Sequence, residues 1–402
     1  MGIQQGTKEF KHSSLALFAG GFSTFALLYC LQPIIPELTL DFKITPTLAS
    51  LAMSVTTIAM ALTMLFVGAL SDAWGRKTIM TASLAAASVI TVAFSFSTSF
   101  TMLLLLRIVQ GIVLAGLPAI AMTYLSEEMD KNSLGYAMGL YISGNAIGGM
   151  AGRIISGLLT DWFDWRVATT VLGSLSILAS IVFWLTIPAS RSFVKRKLEL
   201  SRLVPLLWTQ LVNVRLLCLY GLGFLFMGGF VTLFNYIGFE LLGAPYNLSQ
   251  SLVGSIFVVY IMGSISSTWM GRMADRYGRI PVMLAALGIF LSGALLTGCG
   301  SLVFKILGIT LFVFGFFGGH SIASSWVGLV SKEHKSQANS LYLFFYYVGS
   351  SLSGTGGGLL YHEFGWSGIV GLIAVYVAIG ILLCAVLKRL GAGDTSISPL
   401  SG

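Results

Sequence analysis

The chain has 402 residues, of which 56% are hydrophobic and only 9% are charged. A soluble domain carries about 25% charged residues and a disordered chain is richer still in charge, so both classes are excluded. The net charge of +8 does not point to nucleic acid, because the basic residues sit in short gaps between long apolar runs, where a bilayer wants them.

Apolar runs of about 18 or more residues read as transmembrane helices. Twelve are predicted, over 14–36, 47–70, 79–98, 101–125, 136–160, 166–188, 213–239, 249–271, 281–300, 303–329, 337–361 and 366–387. The first ends in Gln32-Pro33 and Pro36-Glu37 rather than at a small-residue cleavage site, so it is expected to be a span and not a signal peptide. Twelve helices of about 20 residues each consume most of the chain and leave no room for a soluble catalytic domain. The longest gap is basic and separates six spans from six. The expected organisation is a six-helix bundle over 1–188, a linker over 189–212 and a second six-helix bundle over 213–402. Within the linker, 198–211 reads as a short amphipathic helix on the membrane surface.

With the N-terminus inside, 18 of the 23 Lys and Arg fall on the cytoplasmic side, among them Lys8, Lys11, Arg76, Lys77, Lys131 and the cluster Arg191, Lys195, Arg196, Lys197 and Arg202. Only Lys43, Arg166 and Lys305 lie outside, while Arg107 and Arg153 fall within spans. This bias places both termini in the cytoplasm. Cys30, Cys218, Cys299 and Cys384 stand alone in apolar runs, so neither a disulfide framework nor a metal site is indicated, and no cofactor is expected.

The halves repeat each other. GALSDAWGRKTIM begins at Gly68 and GRMADRYGRIPVM at Gly271, pairing Gly68 with Gly271, Asp72 with Asp275, Gly75 with Gly278 and Arg76 with Arg279. A second match pairs the run from Leu140 with the run from Leu341. Repeats in the same order and topology give two parallel six-helix halves, with a binding site expected where they meet near mid-membrane. Gly68 and Gly75 permit close helix approach and a tight turn. Asp72 is a carboxylate suited to the positive end of another helix, and Arg76 to the acids Glu127 and Glu128.

GALSDAWGRK and its echo GRMADRYGR resemble the loop signature of the major facilitator superfamily, over essentially the whole chain. LLLRIVQG around Arg107 resembles the fourth-helix Arg motif of its proton-coupled members. GNAIGG at 144–149 resembles the fifth-helix motif of its drug/proton antiporters, with Asn145 where that motif usually has Pro. The resemblance implies a secondary transporter of the bacterial inner membrane. It assigns gating to Gly68, Asp72, Gly75, Arg76, Asp275, Gly278 and Arg279, with Asp72 meeting helix 11 near Gln337. It implies that Gly144, Gly148 and Gly152 pack helix 5 on helix 8.

An Arg about 10 Å below the surface is expensive and faces a cavity or a partner; Arg107 stands there, with Gln110 one turn below, and the resemblance makes it the coupling residue. No Asp or Glu lies in the middle of a span, so a proton would ride on Glu37, Asp41, Glu240 or the intramembrane His320. Helices 1, 4, 7 and 10 line the cavity in the family. The candidate substrate contacts are Tyr29 and Gln32 in helix 1, Gln110, Asn145 and Arg153, Phe226, Met227, Asn235 and Tyr236 in helix 7, His320, and Tyr346 in helix 11. A cavity dominated by Arg107 and Arg153 favours neutral or anionic cargo.

The expected function is a proton-driven antiporter exporting small apolar or weakly anionic, drug-like compounds; the alternative is an importer or facilitator of a small metabolite. Its partners would be that substrate, protons and the lipid bilayer, with no nucleic acid, and the chain would act as a monomer. An enzyme is not expected, since no H-E-x-x-H, no Gly-x-Ser-x-Gly and no Asp pair lies within spans, and no P-loop is present for ATP.

Overall fold

The computed structural model describes residues 2–190, 200–331 and 335–391. The basic residues Arg191, Lys195, Arg196, Lys197 and Lys332 lie outside them. Among the described residues the elements are helices: α1 (Lys8–Tyr29), α2 (Ile35–Phe42), α3 (Pro46–Trp74), α4 (Arg76–Phe94), α5 (Phe100–Leu114), α6 (Gly116–Glu128), α7 (Lys131–Trp162), α8 (Trp165–Thr186), α9 (Leu200–Leu211), α10 (Val214–Leu242), α11 (Gln250–Ser255), α12 (Ile261–Tyr277), α13 (Arg279–Thr297), α14 (Leu302–Val330), α15 (Lys335–Phe364) and α16 (Trp366–Arg389).

Nine spans among the described residues are long and apolar enough to cross a membrane. Two of them are broken helices, α5 with α6 and α11 with α12. The helices α1, α7 and α15, with 22, 32 and 30 residues, complete the twelve; their glycines and hydroxyls dilute the hydropathy without shortening the helix. The helices start where short polar side chains can serve the first free amides. Thr7, Thr45, Ser99, Asp164 and Ser249 accept from the N–H groups of Phe10, Leu48, Met102, Val167 and Leu252.

Prolines decide the breaks. Pro118 lacks the amide that would bond the carbonyl of Leu114, and the fourth span divides there into α5 and α6. Pro33 similarly ends the first span early. The expected helix over 14–36 is instead α1 ending at Tyr29, a turn over 30–34, and the separate eight-residue helix α2. Gln32 is therefore not in helix 1 but in the turn, because the residue before a proline is pushed out of the helical region.

The chain divides into two compact units. One holds the residues up to Leu200 together with Gly238–Phe257; the other holds Ser201–Ile237 together with the chain from Val258. In the first, Leu17, Leu84, Leu117, Tyr124 and Phe183 form the centre of an apolar core. Its tightest contact is α7 on α1. A Cβ at Gly144, Gly148 or Gly152 would fall on the backbone of Phe18, Phe22 or Ala26, so the two axes approach as closely as backbones allow. This corrects the expected packing: the glycine face of helix 5 meets α1, and the contact with the start of helix 8 is made lower down by Gly157 against Gly254. The spacing of four is a packing signal in either case and does not itself name the neighbour.

In the second unit α13 packs on α14 through Gly293, Gly308 and Gly315. Phe226, Phe230, Phe290, Phe312 and Phe316 stack between α10, α13 and α14, with centroids 3.8 Å apart for Phe230 and Phe316. The expected surface helix over 198–211 is α9, whose Val204 and Trp208 are exposed on one stripe, while Gln210 is buried and accepts from Ser331 Oγ at 3.1 Å.

Candidate functional site

A helix that stops in a buried interior leaves carbonyls without amides, and each must find another donor. The end of α1 does this with side chains from three other helices. The N–H of Gln32 goes to Tyr29 O at 3.0 Å, so the carbonyl of Leu28 is served from α5, by Arg107 Nη2 at 3.1 Å. The carbonyl of Cys30 takes Ser156 Oγ of α7 at 2.6 Å, and that of Pro33 takes Gln250 Nε2 of α11 at 2.5 Å.

Arg107 is 0% exposed. Its Nε donates to Ala52 O of α3 at 2.6 Å and its Nη1 to Gln110 Oε1 at 2.5 Å, while Gln110 Nε2 passes the chain on to Thr91 Oγ1 of α4 at 2.7 Å. Its guanidinium also lies over the Phe94 ring, 5.7 Å from the centroid. The fork geometry thus joins α1, α3 and α4, and every one of these acceptors is neutral.

Arg153 of α7 stands on the other side of the same turn. Its Nε donates to Gln32 Oε1 at 2.7 Å and its Nη1 to Gly149 O at 2.5 Å. The guanidinium lies between the rings of Tyr29, 4.0 Å away, and Phe257, 5.0 Å away. Cation–π contacts of this kind strengthen when water is excluded. Tyr29, Gln32, Gln110, Arg107 and Arg153 are thus brought to one place. Asn145, two turns along α7 from Arg153, faces Gly21 of α1 instead.

Beyond the turn, α2 carries two carboxylates with different surroundings. Asp41 pairs with Arg166 Nη1 at 2.8 Å and accepts from Trp165 Nε1 at 3.0 Å. Glu37 is half-buried; burial raises its carboxyl above the usual range, and the charges of Asp41 and Asp161 add to the effect.

The opposite end of this unit holds the loop motif. Gly75 adopts φ 97°, a conformation that favours glycine, and lets α3 turn directly into α4. Arg76 then reaches back. Its Nη1 lies 2.6 Å from Asp72 Oδ1 and donates to Ser71 Oγ, while Nε and Nη2 grip Glu127 at 3.1 and 2.9 Å. Of the two acids expected for Arg76, Glu127 serves it; Glu128 accepts from Ser190 Oγ instead. Within this unit a Cβ at Gly68 would meet nothing within 4 Å, so no helix of the unit presses on it. In the second unit Gly278 repeats the turn with φ 88°, but Asp275 is 71% exposed by side chain and lies 3.5 Å from Arg279.

His320 of α14 shares a 2.8 Å hydrogen bond with Tyr342 through Nδ1 and lies 4.7 Å from the ring of Tyr346. The helix 7 candidates are buried. Phe226 sits against Gly319 and Phe290, and Tyr236 donates to Gly354 O at 2.8 Å while stacking on Tyr361. Met227 and Asn235 are equally buried.

Ser156, Gln250 and Phe257 were not legible as site residues. The signal that could have found them is the pair Pro33 and Pro36 inside an apolar run, which announces orphaned carbonyls and hence buried donors elsewhere.

Known proteins agree with this architecture. The family model described as Major Facilitator Superfamily matches residues 17–245 and 234–398. The chain is 51% identical over 387 residues to the MFS-type transporter YybF of Bacillus subtilis (strain 168), a match covering 96% of each chain. It is 45% identical over 394 residues to the inner membrane transport protein YnfM of Escherichia coli (strain K12), covering 96% of this chain and 93% of that one. A solved structure of a bacterial homologue of the human lysosomal transporter Spinster, inward-facing and occupied, has the same fold, with a TM-score of 0.79 over 98% of this chain and 100% of that chain at 16% identity. The doubled glycine–aspartate–arginine turn, the twelve spans and these matches lead to one conclusion: the chain belongs to the major facilitator superfamily, as a multi-pass transporter of the inner membrane.

Proposed function

We propose that the chain is a proton-coupled antiporter that exports small apolar or weakly anionic, drug-like compounds by alternating access, with both termini in the cytoplasm. The observation that supports this reading is the convergence of two buried guanidinium groups, Arg107 and Arg153, on the end of α1. A fixed positive charge inside a low-dielectric bundle disfavours cationic cargo and favours neutral or anionic molecules. Tyr29, Gln32 and Arg153 supply a ring face, an amide and a cation at one place, and a flat molecule with one polar edge would engage them by displacing the contacts they make with one another here. Asp72, Arg76 and Glu127 act as the gate at the other end. Export draws its support from the glycine-dense α7 and its likeness to the antiporter motif.

The test uses purified protein in liposomes that enclose a pH-sensitive dye, under an imposed proton gradient, with a panel of dyes, antibiotics and organic acids. Proton release that requires substrate is the expected result. Substrate flux without proton movement would overturn the antiporter and select a facilitator or importer, a reading favoured by the saturation of Arg107 with neutral acceptors.

Glu37 is the carboxylate we assign to proton uptake. Its folded-state affinity for a proton is raised by burial. The protonated form favours folding, so this contribution is present below the unfolded carboxylate value of about 4.3 and is lost as pH rises through the higher folded value. Glu37→Gln is therefore expected to match wild type in unfolding midpoint at low pH and to exceed it increasingly above the usual carboxylate range. Parallel midpoint-versus-pH curves would remove Glu37 from the proton pathway.

A further inference from the structure

We propose that the N-terminal segment Gly2–Gln5 is a positioning strap for Glu127, and through it for the Asp72–Arg76–Glu127 network; the functional half of this inference rests on reading that network as the gate. A chain end of polar composition ordinarily frays, because ordering it costs conformational entropy that few contacts offset. From Gly2 to Gln5 each residue is held in place. The N–H of Ile3 donates to Glu128 O at 2.7 Å, and the N–H of Asp130 donates to Ile3 O at 3.0 Å, forming a parallel bridge across Met129. The Ile3 side chain is 5% exposed and belongs to the core cluster with Phe10, Met129 and Ala137. Gly2 lies so close to the Met129–Asp130 backbone that a Cβ would come within 2.9 Å of it. The N–H of Gln5 donates to Ser133 Oγ at 2.8 Å. Thr7 Oγ1 donates to Gln4 O at 2.7 Å and also caps α1, which fastens the strap to the helix that follows.

The position of these bonds gives them their consequence. They grip the backbone on both sides of Met129, at the last residue of α6 and the approach to α7. Glu127 projects from that last turn of α6, one residue before the carbonyl that Ile3 holds, and it takes both ends of the Arg76 fork. The same node receives Ser190 on Glu128, and the exit of α8 is tied nearby by Lys77 Nζ to Ile187 O at 2.7 Å and Tyr124 OH to Pro188 O at 3.0 Å. Moving α4 away from α6 therefore has to strain the strap or release it. Loosening the strap would let the end of α6 fray and Glu127 wander from Arg76.

The test is hydrogen–deuterium exchange on the full-length protein in nanodiscs, comparing wild type with Ile3→Gly, Ile3→Val and Gly2→Val. In Ile3→Gly we expect exchange across 127–134, and at the Gly75 and Ile79 amides, to quicken by about tenfold or more, with α13 and α14 unaffected. Ile3→Val should retain protection. Gly2→Val, which wedges the strap off without emptying the core, should reproduce the loosening if Ile3→Gly cannot be purified. Faster exchange confined to residues 2–7 would overturn the strap. The gate reading is tested separately by flux in Glu127→Gln: unchanged flux there sinks the gate while leaving the strap's structural coupling intact, and protected 127–134 amides sink the strap while leaving the gate.

Discussion

Arg107→Ala is expected to destabilise the protein by about 3–5 kcal/mol and to abolish coupled flux. The magnitude follows from what the side chain serves. Three donor groups reach Leu28 O, Ala52 O and Gln110 Oε1 in a site with no exposure, and hydrogen bonds to a charged group each contribute about 1.5–3 kcal/mol. Truncation leaves the carbonyl at the end of α1 unserved in a fully buried site and frees Gln110 from one of its two anchors. Arg107→Lys separates the structural part from the functional part. A lysine keeps the charge but lacks the planar fork, so it can serve fewer acceptors and should recover only part of the stability. Thermal unfolding in detergent and proton-coupled flux in liposomes would be read on the same preparations. If lysine restores the midpoint and not the flux, Arg107 takes part in coupling. If both return together, the residue is a helix-end donor whose loss disables transport through the fold. A midpoint in Arg107→Ala within about 1 °C of wild type would show that the α1 end does not depend on it.

The second large effect concerns the asymmetry of the repeat. Arg76→Ala should cost about 2–3 kcal/mol and at least tenfold in flux, whereas Arg279→Ala should lie within about 0.5 kcal/mol of wild type. The two arginines occupy equivalent positions, but their surroundings differ. Arg76 is nearly buried, touches Asp72 at 2.6 Å and holds Glu127 with two parallel bonds, so its removal brings two carboxylates together without a cation. Both carboxylates are about a third exposed, which keeps the figure below that of a fully buried pair. Arg279 meets one well-solvated carboxylate at 3.5 Å, a contact that surface pairs show to be nearly neutral. Equal losses for the two variants would mean that the turn itself, with its glycine at positive φ, matters more than the ion pairs it presents.

The amino-acid sequence by itself determined the class, the number of spans and the repeat. Those rest on composition and on local periodicity, since a bilayer imposes a helix of fixed length on any apolar run. The tight turns at Gly75 and Gly278 and the pairing of Arg76 with an acid near 127 were legible for the same reason: motif residues lie close in sequence or have few charged partners to choose from. Two things needed the tertiary structure. One was the neighbour of each packing face, because the glycines at 144, 148 and 152 make a groove that fits α1 or the start of helix 8 equally well from sequence spacing alone, and only the assembled unit places Phe18, Phe22 and Ala26 in it. The other was the polar interior. Arg107, Ser156 and Gln250 are far apart in the chain, and what unites them is the set of carbonyls left without helical amides where the chain turns between α1 and α2. Helices apolar on nearly every face carry no period that fixes their rotation, so which buried donor meets which orphaned carbonyl is decided by packing in three dimensions.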